Sequence, residues 1–148
     1  MDVAKKMLGI AKVAHKGQKR KFTGEDYIVH PISVGKVFKG ICPIREAVGY
    51  GHDTIEDTNV TVLSLLDENI NHKVVEAIYI LTKKEKESYF DFNLRIIRSK
   101  NDVAIEVKQE DIKHNLQDLK EGAMKDKYRL ALYLLEKASD DNYKIIDW

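Results

Sequence analysis

Six consecutive positions, His52-Asp53-Thr54-Ile55-Glu56-Asp57, carry one imidazole and three carboxylates. At roughly 100° per residue, a helix gathers His52, Asp53, Glu56 and Asp57 into one arc of about 140°. His52 then lies one turn from Glu56, and Asp53 one turn from Asp57. Three carboxylates this close repel and raise one another's pKa unless a cation sits among them. A metal ion removes that conflict, and a neutral imidazole beside a carboxylate is a common pair of ligands for it. The alternative is a solvated acidic helix end with an incidental histidine. Ala47, Val48 and Ile55 argue against full solvation, and the choice rests on what other elements bring to this segment.

A chain of 148 residues reads as one domain, 1–148, long enough for a real core. With 33% charged and 43% hydrophobic residues, it has the balance of an ordinary globular protein. The net charge of +1 gives no global field for nucleic acid or an anionic membrane, so an anionic ligand must be held by local basic residues. Cys42 is the single cysteine. It excludes an intrachain disulfide and suits a reducing compartment, and the cytoplasm is the expected location. Residues 1–14 carry Lys5, Lys6 and Lys12 and lack the apolar core of a signal peptide. No apolar run reaches membrane-spanning length.

The elements that must position the carboxylates are read as helices. Val3, Met7, Ile10, Ala11 and Ala14 repeat at helical spacing, and Gly17 suits a left-handed C-cap. His15, in the last turn, is read as a structural partner of the helix end. The basic run Gln18-Lys19-Arg20-Lys21 is either a solvated loop or a phosphate clamp, with Arg20 as bidentate donor. Pro31 pushes His30 toward an extended backbone and starts a helix with Val34, Val37 and Phe38 inward. The helix bearing the carboxylates follows Cys42-Pro43, from about Ile44. Thr61 caps a short helix, and Val74, Val75, Ile78 and Leu81 mark another, with His72 solvent-facing before it. Residues 83–87 read as a charged, solvated loop, or one bordering the site. Ser88 with Asp91 resembles a capping box.

A helix over 102–119 puts Ala104, Val107, Asp111, Asn115 and Asp118 on one stripe, apolar first and polar after. That polar half is either exposed or tied to a site, since buried carboxylates and amides need partners. With the candidate metal helix nearby, His30 reads as a ligand beside His52 and Asp53, so Asp111 is the natural fourth, and Asn115 lies one turn on. His114 falls off the stripe and is read as structural or exposed. A last helix spans 127–137. Trp148 packs on the body or against an oligomer partner, which keeps a homo-oligomer open. No alternating strand appears, so the fold reads all-α.

Three segments, Ala14-His15-Lys16-Gly17-Gln18-Lys19-Arg20-Lys21, Tyr27-Ile28-Val29-His30-Pro31 and His52-Asp53-Thr54-Ile55-Glu56-Asp57-Thr58, together resemble the HD-domain phosphohydrolases. More specifically they resemble the hydrolase domain of the Rel/Spo (p)ppGpp enzymes and the stand-alone small alarmone hydrolases. Leu81-Thr82-Lys83 and Asp111 with Asn115-Leu116 continue the match, which runs over about 1–119, leaving a C-terminal helix and tail over 126–148.

The resemblance implies an α-helical HD bundle with a bound divalent metal, typically manganese, held by His30, His52, Asp53 and Asp111. It implies that Glu56 and Asp57 activate water, that Arg20 and Lys21 contact the nucleotide's phosphates, and that Asn115 contacts the nucleotide. The implied reaction is metal-dependent removal of the 3′-pyrophosphate of ppGpp or pppGpp. The synthetase half of the long relatives has no room in 148 residues. The alternatives are an HD phosphohydrolase for another nucleotide and a catalytically silent nucleotide-binding protein. The sequence departs from the family in three places. Gly49-Tyr50-Gly51 replaces an aliphatic run, weakening the helix by roughly 1 kcal/mol per glycine and leaving space beside the metal. Gln109-Glu110 replaces a small apolar pair and adds charge near the metal. Ile112 replaces a common basic residue, altering the nucleotide contacts.

Overall fold

The apolar spacing at the start of the chain forms helix α1 (Val3–Ala14) in the computed structural model, which describes residues 1–143. Asp2 caps it by accepting from the Lys5 N–H at 2.8 Å, and the chain leaves it through Gly17 at φ +85°. Helix α2 (Val29–Lys36) starts earlier than Pro31 predicts, so His30 is already helical rather than extended. A proline in a first turn occupies a position whose N–H has no intrahelical acceptor, and the helix loses no hydrogen bond to it.

The single helix expected through residue 57 is broken. Helix α3 (Pro43–Gly51) stops, His52 and Asp53 form a turn, and the short α4 (Thr54–Asp57) follows. Side chains take up carbonyls at the break: His52 Nδ1 bonds Gly49 O at 2.7 Å and Thr54 Oγ1 donates to Gly51 O at 2.8 Å. Such local bonds compete with helix continuation.

Helix α5 (Val62–Asp67) opens with a Thr61–Ser64 capping box, and α6 (His72–Ile80) begins at His72, which is exposed as expected. Helix α7 (Tyr89–Arg98) is capped by Ser88, whose Oγ accepts from Asp91 N at 3.0 Å. Helix α8 (Asp102–Leu116) ends before residue 119, and α9 (Ala123–Ser139) starts ahead of residue 127. A 3-10 turn (Asp141–Tyr143) closes the described chain. Trp148 lies outside the described residues. Among those residues there is no strand, only an antiparallel bridge between Lys19 and Asp26. The fold is all-α.

Helix α3 is the hub: it packs on α1, α2, α6 and α8, while α9 covers α8 and α7. Met7, Val48, Val74, Ile78, Ile96, Val107 and Ile112 fill the core between them. The glycines of α3 serve this packing. A Cβ on Gly49 would lie 2.6 Å from Gly35 Cα, and one on Gly51 would lie 2.7 Å from Ile78 Cδ1 and 2.9 Å from Met7 Cε. Neighbouring helices, not the site, take up that space, which corrects the expectation from the sequence. Ile112 likewise belongs to the core, and Glu110 pairs with Lys113.

Candidate metal centre and active site

Three elements converge on one cluster: α2 brings His30, the α3–α4 turn brings His52 and Asp53, and α8 brings Asp111. The donor atoms lie close together. His30 Nε2 is 2.8 Å from Asp111 Oδ1 and 3.7 Å from Asp53 Oδ2. His52 Nε2 is 3.0 Å from Asp53 Oδ2, 3.4 Å from Asp111 Oδ1 and 3.2 Å from His30 Nε2. Ligands about 2.1 Å from one ion sit roughly 3.0 to 3.4 Å apart when their bonds subtend octahedral or tetrahedral angles. The three spacings from His52 Nε2 fall in that range, and those from His30 Nε2 to the carboxylates lie a few tenths of an ångström to either side of it. His30, His52 and Asp53 could hold a metal ion, with ligand atoms all within 4.8 Å of one another.

The electrostatics point the same way. His52 is buried and its Nδ1 faces the Gly49 carbonyl, an acceptor, so Nδ1 carries the proton and the lone pair of Nε2 faces the cluster. His30 Nδ1 meets His114 Nδ1 at 2.8 Å. Two imidazole nitrogens and two carboxylates at these distances need positive charge between them, whether a proton on an imidazole or a cation. Burial works against the charged form of His52, yet Asp53 and Asp111 outweigh it and push that imidazole well above its ordinary range. Burial likewise opposes the ionised carboxylates, but His52 at Asp53 and Lys108 at Asp111 hold both well below the usual range. The cluster is built to attract a cation.

Glu56 and Asp57 are exposed side chains, yet their carboxylate oxygens reach within 4.8 Å of Asp53's. Lys83 N–H donates to Glu56 Oε1 at 2.6 Å, so the loop of residues 83–87 does border the site. Partial desolvation of its carboxyl against the cluster, then the charges of Asp53 and Glu56, raise Asp57 to about 7. Burial raises Glu56 as well, against the lowering bond from Lys83. A cavity of ≈ 20 Å³ lined by His52, Asp53, Glu56, Phe92, Lys108 and Asp111 adjoins them, with room for one water-sized group.

Of the residues expected to bind phosphate, Arg20 is brought in and Lys21 is not. Arg20 is buried and donates to Asn115 Oδ1 at 3.2 Å and Asp118 Oδ2 at 2.5 Å; Asn115 Nδ2 donates to Asp111 Oδ1 at 3.0 Å. Lys21 is exposed in a loop pinched by Arg20 N to Glu25 O and Tyr27 N to Gln18 O, both 2.8 Å. His15 is structural: its Nδ1 meets Gln18 Oε1 at 2.8 Å rather than the helix carbonyls, and its ring lies on Tyr27.

Three participants escape the reading of the sequence. Tyr27 donates its hydroxyl to Asp53 Oδ2 at 2.5 Å. Lys108 donates to Asp111 Oδ2 at 2.8 Å with its side chain 11% exposed. His114 backs His30, where the stripe reading put it outside the site. The signal for the last two was spacing: each is three residues from Asp111 on α8, roughly 60° around the helix and on the same side.

No family model matches the chain. Among curated proteins, the chain is 31% identical over 151 residues to a GTP pyrophosphokinase of Myxococcus xanthus, covering 92% of this chain and 20% of the relative. It is 31% identical to a guanosine-3′,5′-bis(diphosphate) 3′-pyrophosphohydrolase of Haemophilus influenzae, covering 74% of this chain and 18% of that protein. The chain thus spans about a fifth of the length of these relatives. Among solved structures, a metazoan ortholog of SpoT that hydrolyzes ppGpp shares the fold, with a TM-score of 0.77 at 17% identity over 95% of this chain and 87% of that one. The sequence likeness over the stretches that align, together with the shared fold, supports an HD-type domain similar to the hydrolase domains of the Rel/Spo enzymes.

Proposed function

We propose that this chain hydrolyses the 3′-pyrophosphate of guanosine alarmones, converting ppGpp to GDP and pppGpp to GTP with release of pyrophosphate. The observation that carries the reading is the spacing of the four donors of His30, His52, Asp53 and Asp111 beside two raised carboxylates, Glu56 and Asp57. These four residues would hold the ion, and a mixed nitrogen and oxygen donor set without thiolate suits Mn²⁺. A divalent ion there supplies Lewis acidity and lowers the pKa of water.

Glu56 has Oε1 tied to Lys83 N–H and keeps Oε2 to orient and deprotonate the attacking water, together with Asp57. The water oxygen bonds to phosphorus as the ester bond to the 3′ oxygen breaks, and the proton taken from water passes on to that 3′ oxygen, which leaves as the hydroxyl of GDP. Arg20 offsets the charge of the pyrophosphate by exchanging Asp118 for phosphate, Asn115 contacts the nucleotide, and Lys21, exposed on the neighbouring loop, adds positive charge at the edge. The free thiol of Cys42 fits a reducing cytoplasm.

A second reading, an HD phosphohydrolase for another nucleotide, is favoured by the bond between Arg20 and Asp118, which occupies the bidentate donor of the clamp. A panel of nucleotides with and without a 3′-pyrophosphate separates the two. Turnover confined to 3′-pyrophosphates is the expected result, and turnover confined to 5′-phosphates selects the second reading.

A further inference from the structure

The proposed base, Glu56, sits on the one-turn helix α4, and one of its oxygens is fixed from outside that helix by Lys83 N–H at 2.6 Å. Lys83 belongs to the charged stretch between α6 and α7, which has no regular structure. What shapes that stretch is Arg95 on α7. Its guanidinium donates to Ile80 O at 3.0 Å, to Thr82 O at 2.9 Å and to both oxygens of Glu87 at 2.8 and 3.0 Å. Glu87 in turn accepts from Lys84 N–H at 3.0 Å. One planar group therefore ties down residues on both sides of Lys83. The bonds are sheltered, with Arg95 26% and Glu87 11% exposed and the guanidinium 5.4 Å from the Phe92 ring. Lys86 at φ 64° lies in the left-handed region that a non-glycine residue avoids, so the loop is held in this shape against its own preference.

We propose that Arg95 is a positioning residue which, with Glu87, latches the loop of residues 80–87 so that Lys83 N–H holds Glu56 in the orientation that takes a proton from water. This rests on the hydrolase reading only for the role of Glu56; the latch itself rests on the contacts above. A lysine at 95 cannot serve, since a point charge does not reproduce a fork spanning two carbonyls and a carboxylate.

The test uses the full chain with Mn²⁺ and compares wild type, Arg95→Gln, Glu87→Gln, Glu56→Gln and the Arg95→Gln/Glu56→Gln double variant. Arg95→Gln is expected to lower kcat for ppGpp by about tenfold to a hundredfold, as loss of an outer support does. Its KM stays within about twofold, because the loss falls on the chemical step. In the Glu56→Gln background the same change costs nothing further, because Arg95 acts through Glu56. Hydrogen exchange at the Lys83 amide rises about tenfold or more in Arg95→Gln, and less in Glu87→Gln, which keeps the guanidinium. Multiplicative losses in the double variant overturn the proposal, as does unchanged Lys83 exchange in both single variants. A wild-type protein that leaves ppGpp intact contradicts the hydrolase reading alone, and the latch is then decided by Lys83 exchange.

Discussion

His52 and Asp53 are adjacent in sequence, but what makes them a site is that His52 Nε2 also faces His30 and Asp111 across two other helices. Removing either first ligand leaves three donors and an uncompensated charge. His52→Ala and Asp53→Ala are expected to lose divalent metal, read by elemental analysis after dialysis; full occupancy in both would rule out the site. Glu56→Gln keeps every proposed ligand and is expected to retain metal while kcat falls roughly 10²-fold or more, as for a lost general base. Unchanged kcat removes Glu56 from that role. Lys108 fixes the outer oxygen of Asp111 from within the fold. Lys108→Met is therefore expected to weaken metal binding by about tenfold to a hundredfold, measured by competition with a chelating dye. The residues that converge as proposed ligands were legible because their types and order are specific. Tyr27, in the turn before α2, carried no such signal, and Lys108 and His114 carried only their spacing from Asp111, because these residue types look the same whether they meet a carboxylate or water.

At the scale of elements, the sequence makes helices readable where apolar residues repeat, as in α1 and α6, and misleads where side chains rewrite the backbone. The 52–57 segment has helical residues throughout, yet bonds from His52 and Thr54 to the carbonyls of Gly49 and Gly51 accompany a turn there. Gly49 reads as a weak point in α3 but marks where α3 meets α2, Cα against backbone. Gly49→Ala should consequently destabilise, by about 1–3 kcal/mol, despite its better helix propensity. A variant as stable as wild type in urea unfolding would show that the crossing can open at no cost. The α6–α7 connection adds a pH dependence. Glu87 is held down to about 2 from an ordinary 4.5, first by its bond from Arg95. A depressed folded-state pKa contributes stability that is fully present above about 4.5 and lost as pH falls toward 2. The melting temperature of Glu87→Gln is expected below wild type near neutrality, and the gap should close across that window. A gap independent of pH would mean that Glu87 acts without its charge.

At the scale of the molecule, one packing hub organises the chemistry. Helix α3 touches α1, α2, α6 and α8, and its C-terminal turn is where the ligands from α2 and α8 arrive. The all-α class was legible from periodicity alone. The convergence was not, because it depends on close crossings such as Gly35 against Gly49 that no local pattern encodes. Around the proposed metal centre, Lys83 joins the proposed base Glu56 on one side, and Arg20, proposed to meet phosphate, joins Asn115 and Asp118 on the other. The most direct measurement is one assay of the purified chain with Mn²⁺ and ppGpp, following GDP and pyrophosphate by chromatography. The account predicts equimolar release of both, abolished by chelator and absent in His52→Ala. Metal bound at full occupancy with ppGpp left intact would contradict it.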